Sequence, residues 1–138
     1  MIAQRQFVTG FFCLAVAAAL VGCGKSDRGY VSGTVTLDGQ PLPAATVEFQ
    51  PDEGSPSIGE TDDAGHYELA ISAAEKGAVV GKHTVRVSTY RIEAHEDGTR
   101  EVIPEKVPSS FNSESANIRE VKPGRQTIDI EIPSGGSK

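Results

Sequence analysis

Past residue 23, apolar side chains recur at every second position of this chain and never in the rhythm of a helix. Val31, Val35 and Leu37 fall on one side of a run whose other side is Ser32, Thr34 and Thr36. The same alternation sets Val47 and Phe49 against Glu48 and Gln50, and Tyr67, Leu69 and Ile71 against His66, Glu68 and Ala70. It returns in His83, Val85 and Val87, and in Ile128, Ile130 and Ile132. A period of two belongs to a pleated strand that buries one face. Asp38-Gly39, Asp62-Asp63-Ala64-Gly65, Asp97-Gly98 and Lys122-Pro123-Gly124 supply turns between the runs. The pattern predicts an all-β fold, an antiparallel sandwich of seven to eight short strands. Within it, 57–61 reads as a short strand and 73–81 as a stretch with one helical turn. Residues 91–94 and 99–103 read as a hairpin, and 118–121 with 127–132 as a closing hairpin.

The chain has 138 residues, 38% of them hydrophobic and 23% charged, which suits one domain and leaves no room for a second. That domain spans 29–133, followed by a flexible tail at 134–138. The net charge is −6 and no Lys/Arg cluster exists along the sequence, which excludes a phosphate-tracking groove for nucleic acid. Two cysteines exclude a multi-bridge disulfide scaffold.

The N-terminus differs in kind. Arg5 precedes an apolar run from Phe7 to Val21, too short to cross a ~30 Å hydrocarbon core comfortably and laid out as a secretory signal helix. The run closes on Leu20-Val21-Gly22-Cys23. These four residues resemble the lipobox of bacterial lipoproteins. The resemblance implies a signal peptide at 1–22, diacylglyceryl attached to the Cys23 thiol, cleavage before Cys23 and acylation (palmitate or a similar chain) of the new N-terminus. Cys13 then leaves with the leader, and 12 basic against 19 acidic side chains give the mature chain a net charge of −7. Residues 23–28 form a short tether, so the domain sits against the membrane. Gly24 rather than Asp after the cysteine implies outer-membrane sorting, in lineages that use that rule, with the inner membrane as the other possibility.

Further along, Val31-Ser32-Gly33-Thr34-Val35, Asp38-Gly39, Pro41-Leu42, Ala45-Thr46-Val47, Thr61 through Leu69 and Gly81 through Val87 resemble the carboxypeptidase-regulatory-like domain. That resemblance implies a transthyretin-like sandwich and a non-catalytic accessory, adhesive or surface role. The transthyretin fold includes one enzyme, hydroxyisourate hydrolase, with a first-strand His and a C-terminal Tyr-Arg-Gly-Ser. This chain has Val31, Ser32, Gly33 and Thr34 on the first strand and ends Ser134-Gly135-Gly136-Ser137-Lys138.

Candidate chemistry is sparse. His66, His83 and His95 form no metal-ligand spacing, and structural or solvated roles fit them better. Asp62 and Asp63, with Asp52, Glu53 and Glu60 nearby, raise calcium as a thought. Adjacent turn carboxylates more often bond their own backbone. No nucleophile elbow or phosphate loop occurs. The expectation is therefore no enzyme, no metal and no cofactor, with Cys23 as the one modified site. Function would lie in binding an envelope protein or glycan, or in an accessory subunit that binds carbohydrate or peptide for surface uptake or degradation. The mixed-charge hairpin at 91–106 reads as solvated.

Overall fold

The computed structural model describes residues 27–135. The signal segment, Cys23, the tether through residue 26 and the end of the tail, 136–138, lie outside the described residues. Among the described residues, fourteen short strands carry the fold. They are β1 (Arg28–Leu37), β2 (Gln40–Pro41), β3 (Thr46–Pro51), β4 (Ser57–Glu60), β5 (His66–Glu68), β6 (Ala70–Ser72) and β7 (Glu75–Lys76). Then come β8 (Ala78–Val79), β9 (Gly81–Ser88), β10 (Arg91–Ala94), β11 (Arg100–Ile103), β12 (Ile118–Val121), β13 (Gly124–Thr127) and β14 (Ile130–Ile132). A 3-10 turn lies at Ser109–Phe111.

The fold is an all-β sandwich. One sheet is built around β1, which pairs with β2, β5, β8, β13 and β14; the other runs β12-β9-β3-β4-β6-β7. Alternation places Val31 and Val35 of β1 between the sheets, facing Val47, Phe49, Val85 and Val87 of the second. Tyr67, Leu69, Val121, Ile130 and Ile132 complete the core, with the Phe49 and Tyr67 rings 6.4 Å apart. Burying each such side chain is worth about 1.5–3 kcal/mol.

Several expectations need correction. Two-residue segments, β2, β7 and β8, add to the expected strands, and some runs are divided where the chain turns a corner between sheets. The run 66–71 is one example: His66–Glu68 pairs with β1, whereas Ala70 pairs with Ile58 of the second sheet. Leu69 stays buried at the corner, and Ile71 ends up half-buried rather than inside. Residues 75–79 form β7 and β8 and not a helical turn. The closing segment is no hairpin. β12 pairs antiparallel with β9 in the second sheet, and the chain then crosses at Lys122–Pro123 to lie beside β1 in the first. A strand arriving by a crossover can run parallel to its new neighbour, and β13 and β14 both do so, two exceptions to an otherwise antiparallel fold. The Gln126 side chain secures the corner, accepting from Lys122 N (3.0 Å) and donating to Lys122 O (2.6 Å). The Ser134 N–H donates to Asp38 Oδ1 at 2.8 Å and its hydroxyl to the other oxygen.

Two glycines have specific reasons. Gly33 faces the break between β13 and β14, where Ser32 O receives Ile128 N–H (2.9 Å) and the Asp129 carboxylate receives Thr34 N–H (2.9 Å). A β-carbon on Gly33 would stand 2.0 Å from the Ile128 carbonyl oxygen. Gly65, at φ +76, closes the turn after Asp62 and would drive a β-carbon to 2.6 Å from Val35 O.

Candidate functional site

The hairpin of β10 and β11 stands apart from both main sheets. Its tip forms as the sequence predicts. Gly98 takes φ +85, and Asp97 Oδ1 accepts from Thr99 N (2.8 Å) and Thr99 Oγ1 (2.6 Å). Those two bonds hold the exposed Asp97 carboxyl below the usual carboxylate range. The register sets Ile92 opposite Val102 and Ala94 opposite Arg100 on one face; Arg91 opposite Ile103 and Glu93 opposite Glu101 share the other.

The second of these faces turns toward the body. Arg91 donates to the Ala44 carbonyl (3.2 Å) and to Glu93 (2.6 Å), and Arg91, Glu93 and Ile103 are half-buried. The apolar face turns to solvent: Ile92 is 55% exposed, Val102 58%, and Tyr90, two residues before Ile92, 54%. The hairpin thus shows three large apolar side chains to solvent, alongside the exposed Arg100. An isolated two-stranded hairpin is marginal in water, and this one is held at its base by Glu105.

Glu105 gathers the segments on either side of the hairpin. Its carboxylate accepts from Ser88 Oγ (2.5 Å), Thr89 N (2.9 Å), Thr89 Oγ1 (3.0 Å), Val107 N (3.0 Å) and Asn112 Nδ2 (2.6 Å). Partial burial pushes its pKa up, but donors from Ser88, Thr89 and Val107 outweigh that and bring it down to about 2. Nothing in the sequence marked this residue beyond a Glu following a Pro.

A second surface is a shallow cleft of about 350 Å³ on the outer face of the first sheet, lined by Tyr30, Ser32, His66, Glu68, Arg125 and Thr127 among others. Three strands present these side chains in rows, Tyr30 beside Arg125 and Glu68–Ser32–Thr127 across. The Arg125 guanidinium lies 5.9 Å over the Tyr30 ring, and Glu68 pairs with Lys76 at 3.2 Å.

The residues singled out in sequence are spread over the molecule. Asp62 closes its own turn, its Oδ1 accepting from Ala64 N and His66 N, both at 2.9 Å. His66 is exposed at the cleft, and Asp63, Asp52, Glu53 and Glu60 are exposed. His95 lies at the hairpin tip, 3.4 Å from Glu101, with Glu96 and Asp97 beside it. His83 is buried in the core; its Nε2 donates to Val79 O (2.7 Å), its ring packs on Phe49, and its Nδ1 has no partner among the described residues. Among the described residues no three His, Cys, Asp or Glu side chains converge as a metal site, and no helix there is long and apolar enough to cross a membrane.

What fold and surface define together is an all-β, two-sheet sandwich with an outward-facing apolar hairpin. No protein family and no curated protein matches the sequence. Among solved structures, the chain is similar to a DUF3823 family protein from Parabacteroides merdae, at 15% identity and a TM-score of 0.42, over 78% of this chain and 46% of that one. It is also similar to a 9R-lipoxygenase from Cyanothece, at 18% identity and a TM-score of 0.37, over 74% of this chain and 16% of that one. The chain spans less than half the length of either neighbour. Both are distant likenesses and say nothing of what this chain binds.

Proposed function

We propose that this chain is a lipid-anchored, extracytoplasmic protein of the bacterial cell envelope that acts by binding rather than catalysis, and that hairpin 91–103 is its contact for a protein partner. The anchor rests on Leu20-Val21-Gly22-Cys23 closing an apolar run, and the carboxypeptidase-regulatory-like resemblance of 31–87 agrees with an accessory surface role. The observation that carries the binding reading is the hairpin's outward face, with Tyr90, Ile92 and Val102 exposed while Arg91 of the opposite face is tied to the Ala44 carbonyl. Contiguous exposed apolar side chains with a polar rim mark interaction surfaces. β1 and β9 both run toward the hairpin end, so the hairpin stands at the opposite end of the sandwich from Arg28, where the tether joins.

The test is comparative capture from envelope fractions with the native lipidated protein and an Ile92→Asp/Val102→Asp variant. A partner retained by the first and lost by the second, while a Thr127→Ala variant keeps it, is the expected result. Identical captured sets from the first two refute the hairpin as the contact. The accessory-subunit reading draws on the cleft instead, where Tyr30, Ser32 and Thr127 could meet a sugar. Arg125 already covers one face of the Tyr30 ring, which leaves less aromatic surface for stacking. Loss of glycan binding on Tyr30→Ala would favour that reading.

A further inference from the structure

We propose that the end of the sandwich where β1 begins is a membrane-contacting surface that seats on anionic lipid headgroups through Lys82, Lys122 and Arg125, with Tyr30 and Val79 entering the interface. This rests on the reading of Cys23 as the lipidated residue.

Reach comes first. Five peptide steps separate Cys23 from Arg28, and at ~3.4 Å each they extend no further than about 17 Å. β1 is ten residues long, about 33 Å at the rise of a strand. A lipid at Cys23 therefore holds one end of the sandwich near the headgroups, while the other end can stay clear. Register shows what lies at the near end. Arg28 pairs with Val79, Gly29 with Gly124 and Tyr30 with Arg125, and Val80 N–H donates to Asp27 O (2.9 Å). β9 enters at the same end, with Lys82 opposite Glu120 next to the Lys122–Pro123 corner.

Three features of that end suit a lipid surface. Lys82, Lys122 and Arg125 make no ion pair among the described residues, whereas Lys76, Arg86 and Arg91 are bridged by Glu68, Glu48 and Glu93. Tyr30 and Val79, at the same end, are 48% and 37% exposed, and the Arg125 guanidinium lies over the Tyr30 ring, the pairing of apolar body and charged stem that settles at an interface. The third feature is the contrast between the two ends. Asp27, Asp52, Glu53, Glu75 and Glu120 roughly balance the basic side chains at the near end. The far end carries Asp38, Glu60, Asp62, Asp63 and Glu131 as well as the hairpin's carboxylates, against Arg91, Arg100 and Lys106. An anionic bilayer repels the far end and tolerates the near one, so the field and the tether select the same orientation. The cations come from positions 82, 122 and 125, which is why no basic cluster shows along the sequence.

The experiment uses the lipidated full-length protein in vesicles of equal parts phosphatidylglycerol and phosphatidylcholine, carrying one introduced cysteine with an environment-sensitive fluorophore at Pro123→Cys or Val102→Cys. Mass spectrometry first establishes diacylglyceryl on Cys23. With each exposed basic side chain near an anionic surface worth about a fivefold gain in partitioning, brominated lipid is expected to quench the probe at 123 several-fold more than the probe at 102. Charge reversal at Lys82, Lys122 and Arg125, or high salt on the unaltered protein, should abolish the difference. A lipidated protein quenched equally at both positions, or unaffected by charge reversal and salt, overturns the proposal alone. A protein without lipid on Cys23 overturns the anchor reading and this proposal with it. A matching melting temperature confirms that the reversed variant is folded, and glutamine at the same positions serves if it is not.

Discussion

Replacing Gly33 by Ala adds one carbon to a place where the backbone leaves no room for it. The new Cβ would lie 2.0 Å from the Ile128 oxygen and 2.7 Å from its carbonyl carbon, both backbone atoms that no rotamer change can move. Relief requires the break between β13 and β14 to retreat by about an ångström or more, since contacts under 3.0 Å are not tolerated by real β-carbons. Three bonds converge there: Tyr67 hydroxyl to Ile128 O (2.5 Å), Ile128 N to Ser32 O (2.9 Å) and Thr34 N to Asp129 Oδ1 (2.9 Å). Overpacking of this kind costs about 1–3 kcal/mol, and weakening the bonds adds roughly 0.5–1.5 kcal/mol for each one lost. The smaller entropy of unfolded Ala returns about 0.4–1 kcal/mol. The net expectation is a destabilisation of about 2–4 kcal/mol, a large share of a typical 5–15 kcal/mol, and a Tm lower by about 10–20 °C for a domain of this size. Thermal melts and urea titrations of the described domain measure it, with Gly39→Ala as comparator. Gly39 has φ +80 but open space, so its cost is confined to about 1 kcal/mol of backbone strain. A Gly33→Ala Tm within about 2 °C of wild type, or above that of Gly39→Ala, refutes the packing assigned to this break.

Other expectations are as direct. Gly65→Val should cost more than 1 kcal/mol, about the strain of a left-handed β-branched residue, with added contact against Val35 O at 2.6 Å, and an unchanged melting curve would disprove it. Ser57 buries a hydroxyl with no partner among the described residues, so Ser57→Ala should be neutral or stabilising by up to about 1 kcal/mol; a loss of about 2 kcal/mol by urea titration would contradict that. Glu105 titrates from an ordinary 4.5 down to about 2 in the folded chain, so its contribution is complete above pH ~4.5 and is lost as pH falls toward ~2. The full shift would exceed 3 kcal/mol, but the carboxylate is largely open to solvent, and about 1–2 kcal/mol is the discounted expectation. Between pH 5.5 and 2.5 wild type should therefore lose about that much more stability than Glu105→Gln, and parallel curves would show that the hub is not electrostatic.

The fold was legible where a local rule decides the outcome. Alternation put Val31, Val35, Leu37, Val47, Phe49, Tyr67, Leu69, Ile71, Val85, Val87, Ile128, Ile130 and Ile132 inside; all are buried except Leu37, Ile71 and Ile128, which are half-buried. Asp62-Asp63-Ala64-Gly65 and Asp97-Gly98 named turns whose glycines take positive φ. What alternation cannot specify is the neighbour of each strand. Period two is equally satisfied by a hairpin and by a crossover, so 118–132 read as a hairpin until β12 and β13 were found in different sheets. The 66–71 run fails for the same reason: Leu69 is buried whichever sheet follows it, and nothing in its own sequence says that the chain changes sheets there.

The surface was less legible because its features exist only once register is set. Residues 91–106 carry both signs of charge, and counting them suggests a solvated hairpin. Ile92 and Val102 are ten positions apart; only with the tip at Asp97-Gly98 do they become opposite residues on one face. The direction of that face then depends on Arg91 reaching the Ala44 carbonyl, a contact across 47 positions of sequence. The same holds at the other end, where Tyr30 meets Arg125 only because the closing strand crosses to lie parallel to β1. Both surfaces are products of long-range pairing, and they share a cause in β1. This strand sets the long axis, and the chain that leaves Cys23 enters the fold at its first residues. The far end, with the hairpin and most of the acidic turns, is the end held away from the bilayer under the proposed anchor. An apolar patch there, ringed by carboxylates, is open to a partner while its charge opposes collapse onto an anionic membrane.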